Sequence, residues 1–249
     1  MSRAVLVTGA SRGIGRAVAL AFARSGDRVA VHHRDSPALA DAVVAALPGA
    51  GHAVVSGDLA SAERVQHFVD DAAAQLGGLD VVVNNAGVYL SHPSPDAPDG
   101  YAKWQEAWRR TLDVNLFGAA NVVWCALRHM GTGGRIVNVS SRGAFRGEPQ
   151  HPAYGASKAA LNAFSQSMAV ALAPRGIAVT VVAPGFVSTD MAAGHLASPA
   201  GDAIRAQSPF GRVAEPEEIA AAVHWLASPQ AEWASGTVVD LNGASYLRT

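Results

Sequence analysis

Ala4-Val5-Leu6-Val7-Thr8-Gly9-Ala10-Ser11-Arg12-Gly13-Ile14-Gly15, followed by an amphipathic segment from Ala17 to Arg24, is the stretch on which the fold turns. Four consecutive apolar residues mark a strand covered on both faces, because a half-exposed strand would alternate. The run passes through a glycine-rich turn straight into a helix. Glycines at such a turn let backbone N–H groups approach a pyrophosphate at the positive end of the helix. The spacing is not the general G-x-G-x-x-G, so a plain tight turn is the competing reading of the pattern alone. Its position between the first strand and first helix favours the phosphate cradle, with Gly9, Ser11, Arg12, Gly13, Ile14 and Gly15 as candidate contacts.

Similar apolar, β-branched runs recur outward from it, at Arg28 to His33, His52 to Ser56, Asp80 to Asn84, Arg135 to Ser140, Ile177 to Ala183 and Thr237 to Leu241. Helical stretches separate them, so seven strands and their crossovers predict an α/β, doubly wound Rossmann fold with a seven-stranded parallel sheet. With 249 residues, 49% of them hydrophobic, and no break in composition, the chain is expected to form one domain over residues 1–249. The Pro-rich patch from His92 to Gly100 reads as a surface loop. Tyr101 to Met130 reads as one long helix.

The net charge of -1, without a basic run, gives no electrostatic case for nucleic acid or an anionic membrane surface. Charged residues make up 16%, against about 25% in typical domains, so part of the surface is expected to be buried against copies of the same chain. Cys125 is the only cysteine, which excludes an intrachain disulfide. A core strand begins almost at once, and no apolar run approaches the roughly 20 residues needed to span a bilayer. A soluble, cytoplasmic protein is expected.

Candidate site residues gather at the carboxyl ends of the strands, the edge where such sheets bind ligands. Strand two ends His32-His33-Arg34-Asp35. His33 and Arg34 at its tip, with Arg12 as a second cation, favour a 2′-phosphate and hence NADP over NAD. Asp35 argues the other way, since an acid there would accept from a free ribose hydroxyl. The paired histidines read as strand-end surface residues, and no metal site is expected because no third ligand follows at a recognisable spacing. Asp58, with Leu59 after it, is positioned either to accept from an adenine amine or to cap the helix starting near Ser61. The small-residue turn Asn85-Ala86-Gly87 lets a flat ring or ribose lie against the backbone. Asn115, in an apolar surround, is either a structural bracket or a site residue, and Cys125 reads as a packed thiol. Ser140 and Ser141 end strand five without the Gly-x-Ser-x-Gly elbow of a hydrolase. Thirteen residues later, Tyr154 and Lys158 stand four apart on one helical face, a phenol beside a cation, which suits general acid/base work near neutrality.

In combination and in this order, these motifs resemble the short-chain dehydrogenase/reductase family in its classical size class, over nearly the whole chain. The resemblance implies a nicotinamide-dependent oxidoreductase with a catalytic tetrad that falls on Asn115, Ser141, Tyr154 and Lys158. It implies that Tyr154 protonates a carbonyl oxygen held by Ser141. Lys158 would bind the nicotinamide ribose and lower the Tyr154 pKa, and Asn115 would hold a water linking Lys158 to bulk. Pro184, Gly185, Val187 and Thr189 match the segment that closes over the nicotinamide, with residues 190–207 as a substrate lid and Arg142, Phe145, Arg146, His151 and Phe186 as the variable pocket wall. The pattern looks nearest to the 3-oxoacyl-carrier-protein reductase branch. That implies NADPH, a β-keto thioester substrate, an acyl carrier protein as partner and a homotetramer. Arg142 and Arg146 read as solvated loop charges or as contacts for an anionic substrate. The competing readings are a dehydrogenase of another secondary alcohol (sugar, polyketide, steroid or small ketone pair) and a non-catalytic dinucleotide-binding subunit.

Overall fold

A computed structural model describes residues 2–248. The strands are β1 (Ala4–Val7), β2 (Arg28–His33), β3 (Ala53–Ser56), β4 (Val81–Asn84), β5 (Arg135–Val139), β6 (Ala178–Pro184) and β7 (Val238–Leu241). They lie within one residue of the boundaries read from the apolar runs. All are parallel, in the order β3-β2-β1-β4-β5-β6-β7.

The helices are α1 (Gly13–Arg24), α2 (Pro37–Ala46), α3 (Ala62–Leu76), α4 (Gly100–Leu112), α5 (Ala119–Ala126), α6 (Gly143–Arg146), α7 (Pro152–Leu172), α8 (Asp190–Ala197), α9 (Gly201–Arg205) and α10 (Pro216–Leu226). They cover both faces of the sheet. Period-two alternation splits β1 between two cores: Ala4 and Leu6 join Phe68 and Leu76 of α3 and Val122 of α5 on one face, while Val5 and Val7 join Phe22 of α1 and Ile219 and Val223 of α10 on the other. Both sides of a central strand are therefore apolar, which is why its sequence does not alternate.

Two expectations are corrected. The segment expected as one helix from Tyr101 to Met130 is a continuous helical run from Gly100 to Ala126, but its turn at Asp113–Gly118, between α4 and α5, is π-helical and it stops four residues short. A Cβ on Gly118 would stand 2.7 Å from the Leu59 Cβ and 2.8 Å from the Leu59 carbonyl oxygen, so the turn follows a close approach that only glycine permits. The segment 190–207, expected as a small-residue loop, carries the short helices α8 and α9. Its alanines, Leu196 and Met191 are strong helix formers, and this outweighs the isolated glycines.

No helix among the described residues is long and apolar enough to cross a membrane.

Candidate active site

The sheet order reverses between β1 and β4, and a cleft of about 380 Å³ opens at the carboxyl edge there. Its cradle is the turn after β1. Gly9 and Gly13 have φ of +63° and +54°, and a Cβ on either would stand 2.9 Å from the Ala86 Cα or 3.2 Å from the Thr189 Cγ2. Asn85 fixes this turn: its Nδ2 donates to the carbonyls of Thr8 (2.9 Å) and Gly9 (3.1 Å), and its N–H donates to the Thr8 hydroxyl at 3.1 Å. Arg12, at the N-cap of α1, makes no side-chain capping bond, so the first-turn amides are left for a ligand's oxygens. Ser11, Arg12 and Ile14 line the cleft with them. Gly15 does not. A Cβ on Gly15 would meet the Gly9 carbonyl oxygen at 2.3 Å, so this glycine packs behind the cradle.

The ends of β2 and β3 frame the next part of the cleft, and here the reading of the histidines as surface residues is overturned. His32 is 1% exposed and His33 is also buried. His32 Nδ1 accepts from the Gly9 N–H at 3.1 Å and its Nε2 lies 3.0 Å from the Gly57 carbonyl, which fixes a neutral tautomer protonated at Nε2. Burial pushes its pKa down to about 4. His32 thus ties the glycine turn to the loop after β3, a role that nothing in its spacing signals. His33, Arg34, Asp58 and Leu59 all line the cleft. Arg34 is ion-paired with its neighbour Asp35 at 2.5 Å, and that bond holds the Asp35 carboxyl below its usual range. Ser61, rather than Asp58, caps α3, accepting from the Arg64 N–H at 3.3 Å. Asp58 instead accepts from the Ala60 N–H and from Arg110 at 2.9 Å; burial would raise its pKa, but these bonds hold it down.

Tyr154 and Lys158, both on α7, meet Ser141 from the end of β5 in the opposite part of the cleft. Lys158 is 3% exposed; its Nζ donates to the Val139 carbonyl at 2.8 Å and stands 5.8 Å from the centre of the Tyr154 ring. Burial pushes Lys158 down to about 8. The same burial pushes Tyr154 up to about 12, partly offset by its hydrogen bond with Ser141 and reinforced by Glu148. Desolvation of the phenolate is the largest of these causes, so in the free protein the phenol stays protonated. Asn115, in the π turn, is 1% exposed and lies outside the lining of the cleft. Its amide brackets Val88, accepting from that residue's N–H at 2.8 Å and donating to its carbonyl at 3.0 Å, and also donates to the Ser157 hydroxyl at 3.1 Å. A Cβ on Gly87 would come within 3.2 Å of Asn115 Oδ1 and 3.6 Å of Lys158 Nζ, so the three converge.

Ala86, Pro184, Gly185, Val187 and Thr189 line the cleft, and Phe186, Met191 and His195 extend its wall. Arg142, read as a solvated charge or a substrate contact, is 4% exposed and bonded to Gln207 and Ser245, which ties the start of α6 to the segment after α9 and to the C-terminal segment. Arg146 is exposed and also bonds Gln207 at 2.6 Å. Tyr89 was not singled out in the sequence, and Glu148 and His195 were covered only as members of the segments 142–151 and 190–207. Tyr89 donates to Glu148 at 3.2 Å across 59 positions, a pairing with no local spacing to betray it. Cys125 is buried and its thiol is pushed up by that burial, in keeping with packing. No group of three or more metal-ligating side chains is present among the described residues.

The cradle that a Cβ would fill, the uncapped α1 and the flat Asn85-Ala86-Gly87 turn fit a dinucleotide. A family model described as enoyl-(acyl carrier protein) reductase matches residues 9–243. The chain is 36% identical to the 3-oxoacyl-[acyl-carrier-protein] reductase of Staphylococcus aureus, covering 99% of each chain. It is 39% identical to the cis-4-hydroxycyclohexanecarboxylate dehydrogenase of Sinomonas cyclohexanicum, over 97% of this chain and 95% of that one. A crystal structure of a short-chain dehydrogenase from Burkholderia cenocepacia in complex with NADP superposes with a TM-score of 0.88 at 35% identity, covering 98% and 97% of the two chains. The chain belongs to the short-chain dehydrogenase/reductase family and is an oxidoreductase.

Proposed function

We propose that this protein interconverts a ketone and a secondary alcohol with NADP(H). The observation that carries the reading is the convergence of Ser141, Tyr154 and Lys158 on one wall of a cleft whose other wall is a glycine cradle at an uncapped helix. When bound, the reduced cofactor supplies a hydride to the carbonyl carbon. The protein's residues handle the oxygen. Ser141 donates to it, and Tyr154, protonated at neutral pH, gives its proton as the C–O bond gains negative charge. Lys158 holds a positive charge beneath this developing alkoxide, and Asn115 positions Val88 and Ser157 around it.

NADP(H) is favoured over NAD(H) because Arg12 and Arg34 line the same cleft, although Arg34 must give up Asp35 to meet a phosphate. Likeness to the Staphylococcus aureus enzyme supports a β-keto thioester as substrate, with an acyl carrier protein as partner. A different secondary alcohol is the second reading, supported by a carboxylate, Glu148, in the pocket wall. We also infer one cytoplasmic domain with α8 and α9 as its lid. The exposed Trp124 and Val170, 75% and 79% accessible, support self-association as a tetramer. Initial rates of NADPH and NADH consumption with an acetoacetyl thioester beside simple ketones test the proposal. Preferential NADPH use on any ketone supports it; no turnover across the panel despite NADPH binding refutes it.

A further inference from the structure

Glu148 lines the cleft together with Tyr154 and Ser141. Among the described residues its side chain forms no ion pair, and its one hydrogen bond comes from the Tyr89 hydroxyl to Oε2 at 3.2 Å. A carboxylate has about four acceptor positions, so most of this one's capacity is unused. The group is nonetheless held in place. Tyr89 stacks face to face on the buried His151, with ring centres 3.7 Å apart and planes 12° apart, and meets the Tyr154 ring edge-on at 4.7 Å. Gly143 gives the carboxylate room, since a Cβ there would stand 2.8 Å from Oε1.

An anchored carboxylate with open acceptor positions, beside the phenol that handles the reacting oxygen, selects for a hydrogen-bond donor on the substrate and against a negative charge. Arg142 lines the same cleft, so a neutral hydroxyl suits it better than an ammonium, which would meet that guanidinium. Resting on the reading of the site as a ketone/alcohol oxidoreductase, we infer that Glu148, oriented by Tyr89, is a specificity residue for substrates carrying a hydroxyl close to the reacting carbon: hydroxy ketones and the corresponding polyols.

Hydroxyacetone and 2-butanone test this directly, because they differ only by a hydroxyl in place of a methyl. The full chain with NADPH should favour hydroxyacetone in kcat/KM by about tenfold or more, since a site built to bond a substrate hydroxyl rejects the analogue lacking it. Glu148→Ala should lower that ratio by about tenfold. Glu148→Gln, which keeps size and one acceptor oxygen, should lower it less, and Tyr89→Phe, which leaves the carboxylate unanchored, should fall between wild type and Glu148→Ala. A ratio unchanged by Glu148→Ala, or equal losses on both ketones in all three variants, overturns the inference and leaves ketone reduction standing. If wild type reduces neither these nor any ketone, the underlying reading falls and the inference with it.

Discussion

Lys158→Met isolates the cost of keeping an ammonium inside the protein. The side chain is 3% exposed and, among the described residues, its Nζ has a single hydrogen-bond partner, the Val139 carbonyl at 2.8 Å. Burial lowers its pKa from 10.5 to about 8. At about 1.36 kcal/mol per decade of proton affinity, this means the charged form costs the fold on the order of 3 kcal/mol. The sign follows from proton counting. Between pH 8 and 10.5 the unfolded chain binds a proton that the folded chain has released, so stability rises with pH across that window. Urea unfolding of wild type and Lys158→Met at pH 7, 9 and 10.5 should show wild type gaining about 3 kcal/mol on the variant from the lowest to the highest pH. Titration of the remaining groups is common to both proteins and cancels. At pH 7 the variant escapes the burial cost but leaves the Val139 carbonyl without its donor, a loss of about 1–3 kcal/mol, so it should be as stable as wild type or slightly more so. It should also be inactive. Two stability curves that run parallel from pH 7 to 10.5 would refute the argument, because a lysine with an ordinary pKa confers no such slope.

Tyr154→Phe should lower kcat by about 10² to 10⁴ with cofactor affinity retained, measured by stopped-flow turnover and by fluorescence titration; near-normal turnover would mean that another group supplies the proton. Arg34→Ala should weaken NADPH by about ten- to a hundredfold and NADH far less. Asp35→Ala should strengthen NADPH, since it frees Arg34, and calorimetric titration of both cofactors against both variants decides this. His32 binds no proton in the fold until about pH 4, whereas an unfolded histidine does so near 6.5. Its contribution is therefore complete above pH 6.5 and is lost as pH falls toward 4, at most on the order of 3 kcal/mol. His32→Gln should flatten that acid slope in urea melts at pH 4.5 and 7, and an unaltered slope would assign acid sensitivity elsewhere.

What could be read from the sequence and what could not divide along physical lines. The seven strands were legible because burial on both faces writes a continuous apolar run into each one, and the glycine turn because its conformation excludes other residues. Ser141, Tyr154 and Lys158 were singled out through the family resemblance, and the fold brings all three to one cleft. The π turn left no comparable trace, since one extra residue in a helical turn hardly alters an apolar pattern; Gly118, pressed against Leu59, was the one signal. Two histidines at a strand end look polar and exposed in sequence, yet His32 is buried because Gly9 and Gly57 satisfy both of its nitrogens. The pairing of Tyr89 with Glu148 is the clearest case, for it depends on two loops meeting and on His151 stacking beneath. Residues that shape the fold or perform the shared chemistry answer to local constraints, which periodicity records. Residues that choose the substrate answer only to what faces them across the cleft. A chain can therefore reveal its reaction in its sequence while its choice of substrate, which we infer rests on Glu148, emerges only once the loops are in space.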